Sequence, residues 1–171
     1  MQFAFRTFGR GAHPPASKFT ANVPLAEFDA PELLRVPLSQ HIGAPAVPVV
    51  EVGDTVAAGQ PIGESGGFVS ARVHAPVSGR VTAVKKGVTP TGAQCVHIEI
   101  ENDFEGRTAF LPPLDDPTPD MIRERVRECG IVGMGGAGFP THVKLAPKTA
   151  PEFSCSTGRS ASRTSPATAA L

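Results

Sequence analysis

Apolar residues in the first two thirds of the chain come in short runs separated by glycine, proline and aspartate. That spacing predicts many short strands rather than long helices. Val47, Val49, Val50 and Val52 form one run, closed by Gly53-Asp54, and Val77, Val81 and Val84 frame another, broken by Ser78-Gly79 and then by Gly87. The clearest strand is Gln94 to Glu101, where Val96, Ile98 and Ile100 alternate with His97, Glu99 and Glu101. A period of two sends the first three residues to one face and the last three to the other, which predicts one buried side and one wet side. Residues 36–104 therefore read as an all-β domain.

The pattern changes after Pro112-Pro113 and Asp115-Asp116-Pro117, which read as a stiff linker over 105–117. A helix is predicted over 119–129. Thr118 suits its N-cap, and Pro119 suits the first helical position, where a missing N–H costs nothing. Asp120 and Glu124 place negative charge toward the N-terminal end. Ile122, Val126 and Cys129 give one apolar stripe, and Gly130 is a natural terminator. The first 35 residues show little periodicity and are read as an extended arm wrapping a later domain.

Composition narrows the function classes. Lys plus Arg and Asp plus Glu both number 16, so no global charge draws the chain to nucleic acid or anionic lipid. Neither Trp nor Tyr occurs, which removes the usual base-stacking residues and argues against a nucleic-acid binder. No run reaches the roughly 18 apolar residues of a membrane-spanning helix, and the first residues do not read as a secretory signal. Cys95, Cys129 and Cys155 are an odd, widely spaced set that fits neither a disulfide framework nor a zinc or iron–sulfur site. A reducing, cytoplasmic setting is the simplest reading. The spacing of His13, His41 and His74 matches no common metal-ligand pattern, which favours surface or hydrogen-bonding roles.

Two half-patterns recur in the β region. Val50 to Ile62 and Val73 to Val81 resemble the halves of a biotinyl/lipoyl-type barrel-sandwich domain, in which a hairpin between the halves presents a modifiable lysine. Counting back from Ala75-Pro76, that position is Phe68, and no lysine lies between Lys18 and Lys85. A carrier role needs an amine, so the module is read as structural or docking. Further blocks are more specific: Phe8 to Pro15, Gly67 to Ala71, Val73 to Gly79, and above all Pro37-Leu38-Ser39-Gln40-His41-Ile42-Gly43-Ala44-Pro45. Together they resemble the C subunit of the Rnf electron-transport complex, from about residue 3 to Leu145.

Gly133-Met134-Gly135-Gly136-Ala137-Gly138 satisfies G-x-G-x-x-G, a weak signal on its own. A dinucleotide fold needs a strand before it and a helix after it, whereas here a predicted helix comes before, with only Ile131 and Val132 between. No Gly-Lys-Ser/Thr follows, which excludes a Walker A loop. A plain glycine-rich connection is the remaining structural alternative. The longer run to Thr141 and Lys144-Leu145 is similar to the flavin loop shared by the NADH-oxidising subunit of respiratory complex I and the C subunit of Rnf. That resemblance implies FMN held by Gly133, Gly135, Gly136, Gly138 and Lys144, with Phe139 beside the incoming NADH. Glycines let backbone N–H groups approach a phosphate, helped by a following helix N-terminus. Met134 stands where complex I has an arginine, so no role is carried over for that side chain.

The resemblance implies an α+β, mainly β architecture: a barrel-sandwich hybrid at 36–104, followed by a truncated α/β flavin and NADH-binding domain at 118–153. It implies a peripheral subunit on the cytoplasmic side of the membrane. It also implies that hydride passes between NADH and FMN and that electrons travel through 4Fe-4S clusters to or from ferredoxin. The other subunits of such a complex are the implied partners. Of residues 154–171, eight are Ser or Thr and none is acidic. Back-translated in the adjacent frame, Phe153 to Leu171 can read Leu-Leu-Leu-Asn-Gly-Ala-Glu-Cys-Glu-Pro-Tyr, the family's continuation. The expectation is an out-of-frame, disordered tail, and a chain inactive by itself. The competing class is a non-catalytic docking module that binds no flavin.

Overall fold

The computed structural model describes residues 19–20, 22–24, 26–89, 92–134 and 136–146. The expectations for His13, Gly135, most of the arm and the tail 154–171 lie outside the described residues. Contacts divide the chain into two units, one of which, Glu27–Ser154, holds every element below. In the other, the described residues make one turn, with the Val23 N–H donating to the Thr20 carbonyl at 3.1 Å.

Among the described residues seven strands form two sheets. β1 (Leu33–Pro37), β7 (Gln94–Asn102), β6 (Gly79–Val88) and β3 (Thr55–Val56) lie side by side in that order, and β2 (Val47–Pro48), β4 (Pro61–Glu64) and β5 (Val73–His74) make the second sheet. All these pairings are antiparallel. The two sequence half-patterns interlock. Thr55 and Val56 pair with Arg80 and Gly79, and Pro61 pairs with His74. The Val81 N–H donates to the Asp54 carbonyl at 2.8 Å, and the Ala75 N–H donates to Gln60 at 2.9 Å. One apolar cluster draws on both sheets, with Leu38, Ile62, Val81, Ile98 and Ile100 fully buried. The mainly β, barrel-sandwich architecture predicted from the half-patterns is the one observed.

Three details differ from the sequence reading. β1 begins at Leu33, so the sheet starts within the segment read as an arm. The valine run at 47–52 is not one strand. Val50 is buried while Val47, Val49 and Val52 are half or more exposed, and β2 ends at Pro48, whose missing N–H suits a sheet edge. The wet face expected for β7 is corrected at two of its three residues: His97 and Glu99 are 8% and 6% exposed, while Glu101 is exposed as expected. β7 lies between β1 and β6, so side chains from both neighbours close over it. Arg35 meets Glu99 at 2.7 Å and Lys85 meets it at 3.0 Å. The hydrogen bond from Lys85, ahead of the opposing effect of burial, holds the Glu99 carboxyl below its ordinary range. Alternation correctly assigned the faces but not their solvation, since a central strand can bury a charged side chain between two cations.

After β7 the chain turns through Asp103. Its carboxylate accepts from Ser78 Oγ at 2.6 Å and from the Glu105 N–H at 3.0 Å, and it pairs with Arg107. Thr108 then bridges Ala58 in parallel, so part of the predicted linker lies along the barrel. Helix α1 (Pro119–Glu128) is capped as predicted: Thr118 Oγ1 accepts from the Met121 N–H at 3.3 Å, and Pro119 opens the helix. A short helix, α2 (Thr141–Lys144), packs against α1.

Candidate functional site

The glycine loop is a closed hairpin rather than the strand-to-helix turn of a dinucleotide fold. Val132 and Pro140 form an antiparallel bridge. The Gly133 N–H donates to the Phe139 carbonyl and the Thr141 N–H to Ile131, both at 3.0 Å. Pro140 is fully buried at the base. The tip points away from protein: Met134 is 94% exposed, and no atom lies within 4 Å of a Cβ built on Gly136. Phe139 is 40% exposed, and Lys144 is exposed at the end of α2. The helix following the loop has four residues, so its N-terminus adds little beyond individual N–H groups.

Gly138 behaves differently from the tip glycines. Its φ is +65°, and a Cβ there would stand 3.0 Å from the Gln40 carbonyl oxygen and 3.1 Å from His41 Cα. Its lack of a side chain is accounted for by close packing on the barrel. Gly130, which follows α1, makes the second such contact: φ is +62°, and a Cβ would meet the Arg72 carbonyl oxygen at 2.3 Å and His74 Cε1 at 3.2 Å. Two glycines therefore seat the helix and the loop on the barrel.

The barrel side of these contacts is rigid. His41 is buried, and its Nε2 accepts the Ala71 N–H at 3.1 Å. The same Nε2 lies 3.1 Å from the Ala71 carbonyl oxygen, and Nδ1 lies 3.1 Å from the Ile42 carbonyl oxygen. The Ala44 N–H donates to Val69 at 3.0 Å, so the Pro37–Pro45 block is laced to the hairpin carrying Phe68. Phe68 itself is 83% exposed at the barrel tip. Between Phe68 and α1 lies a groove of about 440 Å³, bordered by Arg123, Arg127 and His142. Its charges are internally matched, since Arg123 pairs with Asp120 and Arg127 lies 3.6 Å from Glu124. Burial, and then the nearby Arg127, lower the pKa of His142 from its ordinary value.

The structure thus brings Gly133, Gly136 and Phe139 into one hairpin, places Lys144 on the helix that follows, and assigns Gly138 to the barrel contact. What sequence reasoning missed is that Gln40, His41, Arg72 and His74 on the barrel receive Gly138 and Gly130. The signal for the first two was present, since their proline-flanked block is more specific than barrel packing requires.

A barrel sandwich bearing a glycine hairpin on one side defines a scaffold that presents a loop. Residues 6–105, more than half of the chain, match the family model described as the RnfC barrel sandwich hybrid domain. The chain belongs to this family. It is 48% identical over 145 residues to the C subunit of the Na(+)-translocating ferredoxin:NAD(+) oxidoreductase complex of Acetobacterium woodii, covering 82% of this chain and 33% of that protein. It is 42% identical over 147 residues to the C subunit of the proton-translocating ferredoxin:NAD(+) oxidoreductase complex of Clostridium ljungdahlii, covering 83% and 32%. It is 43% identical over 141 residues to the C subunit of the ion-translocating oxidoreductase complex of Rhodobacter capsulatus, covering 79% and 27%. The chain spans about a third of the first two relatives and less of the third.

Proposed function

We propose that this chain is the N-terminal part of the peripheral C subunit of an ion-translocating ferredoxin:NAD oxidoreductase complex. In this reading the barrel is the platform for an FMN-holding loop. The observation that supports it most is the two-sided character of the glycine hairpin. Gly138 anchors it to the barrel, while Gly136 at the tip leaves its backbone in open space. Such a tip, with the exposed ammonium of Lys144 on the following helix, fits one side of a phosphate group. Gly133, Gly135 and Gly136 would let the backbone approach that phosphate, and Phe139 would offer a ring face to NADH. FMN, when bound, accepts a hydride and releases single electrons. The chain's part is to hold and orient.

The remaining proposals rest on the family resemblance. The 4Fe-4S clusters would be carried by sequence corresponding to the remainder of those proteins. The other subunits of the complex and, indirectly, ferredoxin would be the partners. The site of action would be the cytoplasmic face of the membrane. Among the described residues no helix is long and apolar enough to cross one. The chain alone would not oxidise NADH.

Titration of the purified chain into FMN, followed by flavin fluorescence, tests the loop assignment. Saturable quenching is expected, lost on Gly136→Asp, which adds bulk and negative charge at the open tip. No quenching, or equal quenching with Gly136→Asp, overturns the assignment and leaves the non-catalytic docking module.

A further inference from the structure

The turn after β7 displays an aromatic ring on strained backbone. Phe104 has φ +55°, in the left-handed region that asparagine and glycine tolerate and a bulky side chain rarely adopts. Several contacts hold it there. Asn102 Oδ1 accepts the Phe104 N–H at 3.0 Å, and Asn102 Nδ2 donates to the Pro31 carbonyl at 3.3 Å. Asp103 Oδ1 accepts from Ser78 Oγ at 2.6 Å and from the Glu105 N–H at 3.0 Å. Arg107 pairs with Asp103 and, at 2.9 Å, with Glu105. The ring presented by this braced turn is 65% exposed.

Neither feature stabilises the chain by itself. Strained backbone persists only where its surroundings over-determine it, and an exposed ring forgoes the stabilisation of burial. A rigidly held aromatic is what an interface uses as an anchor, because little freedom remains to be lost on association. Phe68 and Phe110 are exposed as well, but neither has a positive φ.

The charges around the ring indicate what it meets. The Asn102 N–H donates to the Glu32 carbonyl at 2.7 Å, and Arg80 lies opposite Glu101 across β6 and β7. This end of the sheet therefore gathers Glu32, Glu101, Asp103 and Glu105 against Arg80 and Arg107. It is negative, although the chain as a whole carries no net charge. Arg35, Lys85 and Lys86 lie farther along the same strands.

We propose that Phe104 anchors a protein-docking surface, its ring entering an apolar socket rimmed by Lys and Arg on another subunit of the complex. The inference rests on the reading of this chain as a complex subunit, and no residue of the glycine hairpin takes part in it. A lipid surface fits this end less well, because the carboxylates would face anionic headgroups.

The test adds the full chain to membranes that carry the other subunits of the complex. Phe104→p-benzoylphenylalanine, which keeps an aromatic ring, should cross-link on irradiation to one subunit, at a segment with more Lys and Arg than Asp and Glu. Capture should be kept by Phe104→Trp and fall about tenfold with Phe104→Asn. Glu105→Gln should weaken it about threefold and flatten its salt dependence. Phe104→Asn should also raise the thermal midpoint of the isolated chain by about 2–4 °C, since asparagine accepts the positive φ. Lost capture in that variant is then not lost folding. Equal capture of Phe104→Asn, a midpoint it does not raise, or a cross-link to lipid or to an acidic segment would overturn the proposal. A native chain that no subunit captures would overturn the complex-subunit reading with it, while FMN quenching reports on the hairpin separately.

Discussion

The barrel and the segment after it are stabilised in different ways. Between β1 and β7 the chain buries Leu38, Ile62, Val81, Ile98 and Ile100 completely, and every strand contributes to its sheet through backbone pairing. Neither α1 nor α2 contains a buried residue, and Met121 and Ile122 of α1 are more than 40% exposed. What fixes this second region is contact with the barrel: Gly130 on Arg72 and His74, Gly138 on Gln40 and His41, and Pro140 buried beneath the loop. A region with few buried apolar contacts opens at lower free energy than one with a closed core. The barrel should therefore behave as the stable unit and the loop-bearing segment as a docked, more labile one.

Breaking the core should have the largest effect. Ile98→Ala removes a fully buried side chain at the centre of the cluster and should cost about 2–5 kcal/mol in urea unfolding, with barrel and helix signals lost together. Breaking the docking contact should separate the two regions. Gly130→Val forces a branched side chain into positive φ and against the Arg72 carbonyl. The strain alone is about 1–3 kcal/mol. Its expected signature is faster hydrogen exchange in α1, with β6 and β7 protection unchanged.

A smaller, pH-dependent effect should sharpen the contrast. Ser78 first, then the Glu105 N–H and Arg107, hold the Asp103 carboxyl down to about 2, against an ordinary value of 3.8. A depressed carboxylate stabilises the fold fully above its unfolded pKa, and that contribution is lost as pH falls through the folded one. The native chain should lose thermal stability between about pH 4 and pH 2 partly through this group. Asp103→Asn should start lower and show a shallower loss across that window. His74 titrates with the same sign, since its lowered pKa favours the neutral ring in the folded state. Its contribution is present above 6.5 and declines as pH falls, so mild acid should loosen the α1 docking before it affects the core.

The parts legible in the sequence were those governed by local rules. Thr118, Pro119 and Gly130 set the helix limits through capping and backbone preference, and the half-patterns at Val50–Ile62 and Val73–Val81 gave the barrel. The burial of Glu99 was not legible, because it depends on which strands flank β7 and on Arg35 and Lys85 arriving from them. Nor was the division of labour among the glycines. Gly138 is a fixed glycine of G-x-G-x-x-G and Gly136 fills one of its free positions, yet nothing in the motif says that Gly136 faces open space while Gly138 touches the backbone of His41. That difference arises from a contact between segments far apart along the chain, which no local pattern encodes.

The central claim is that an independently stable barrel holds a labile glycine hairpin through Gly138. Hydrogen–deuterium exchange of the full chain, native and Gly138→Ala, tests it most directly. The account predicts slow exchange in β6 and β7 of both proteins, faster exchange at residues 131–146 in the native chain, and a further increase confined to those residues in the variant. Equal protection of hairpin and barrel in the native chain, or a variant whose β7 amides lose protection along with the hairpin, would contradict it.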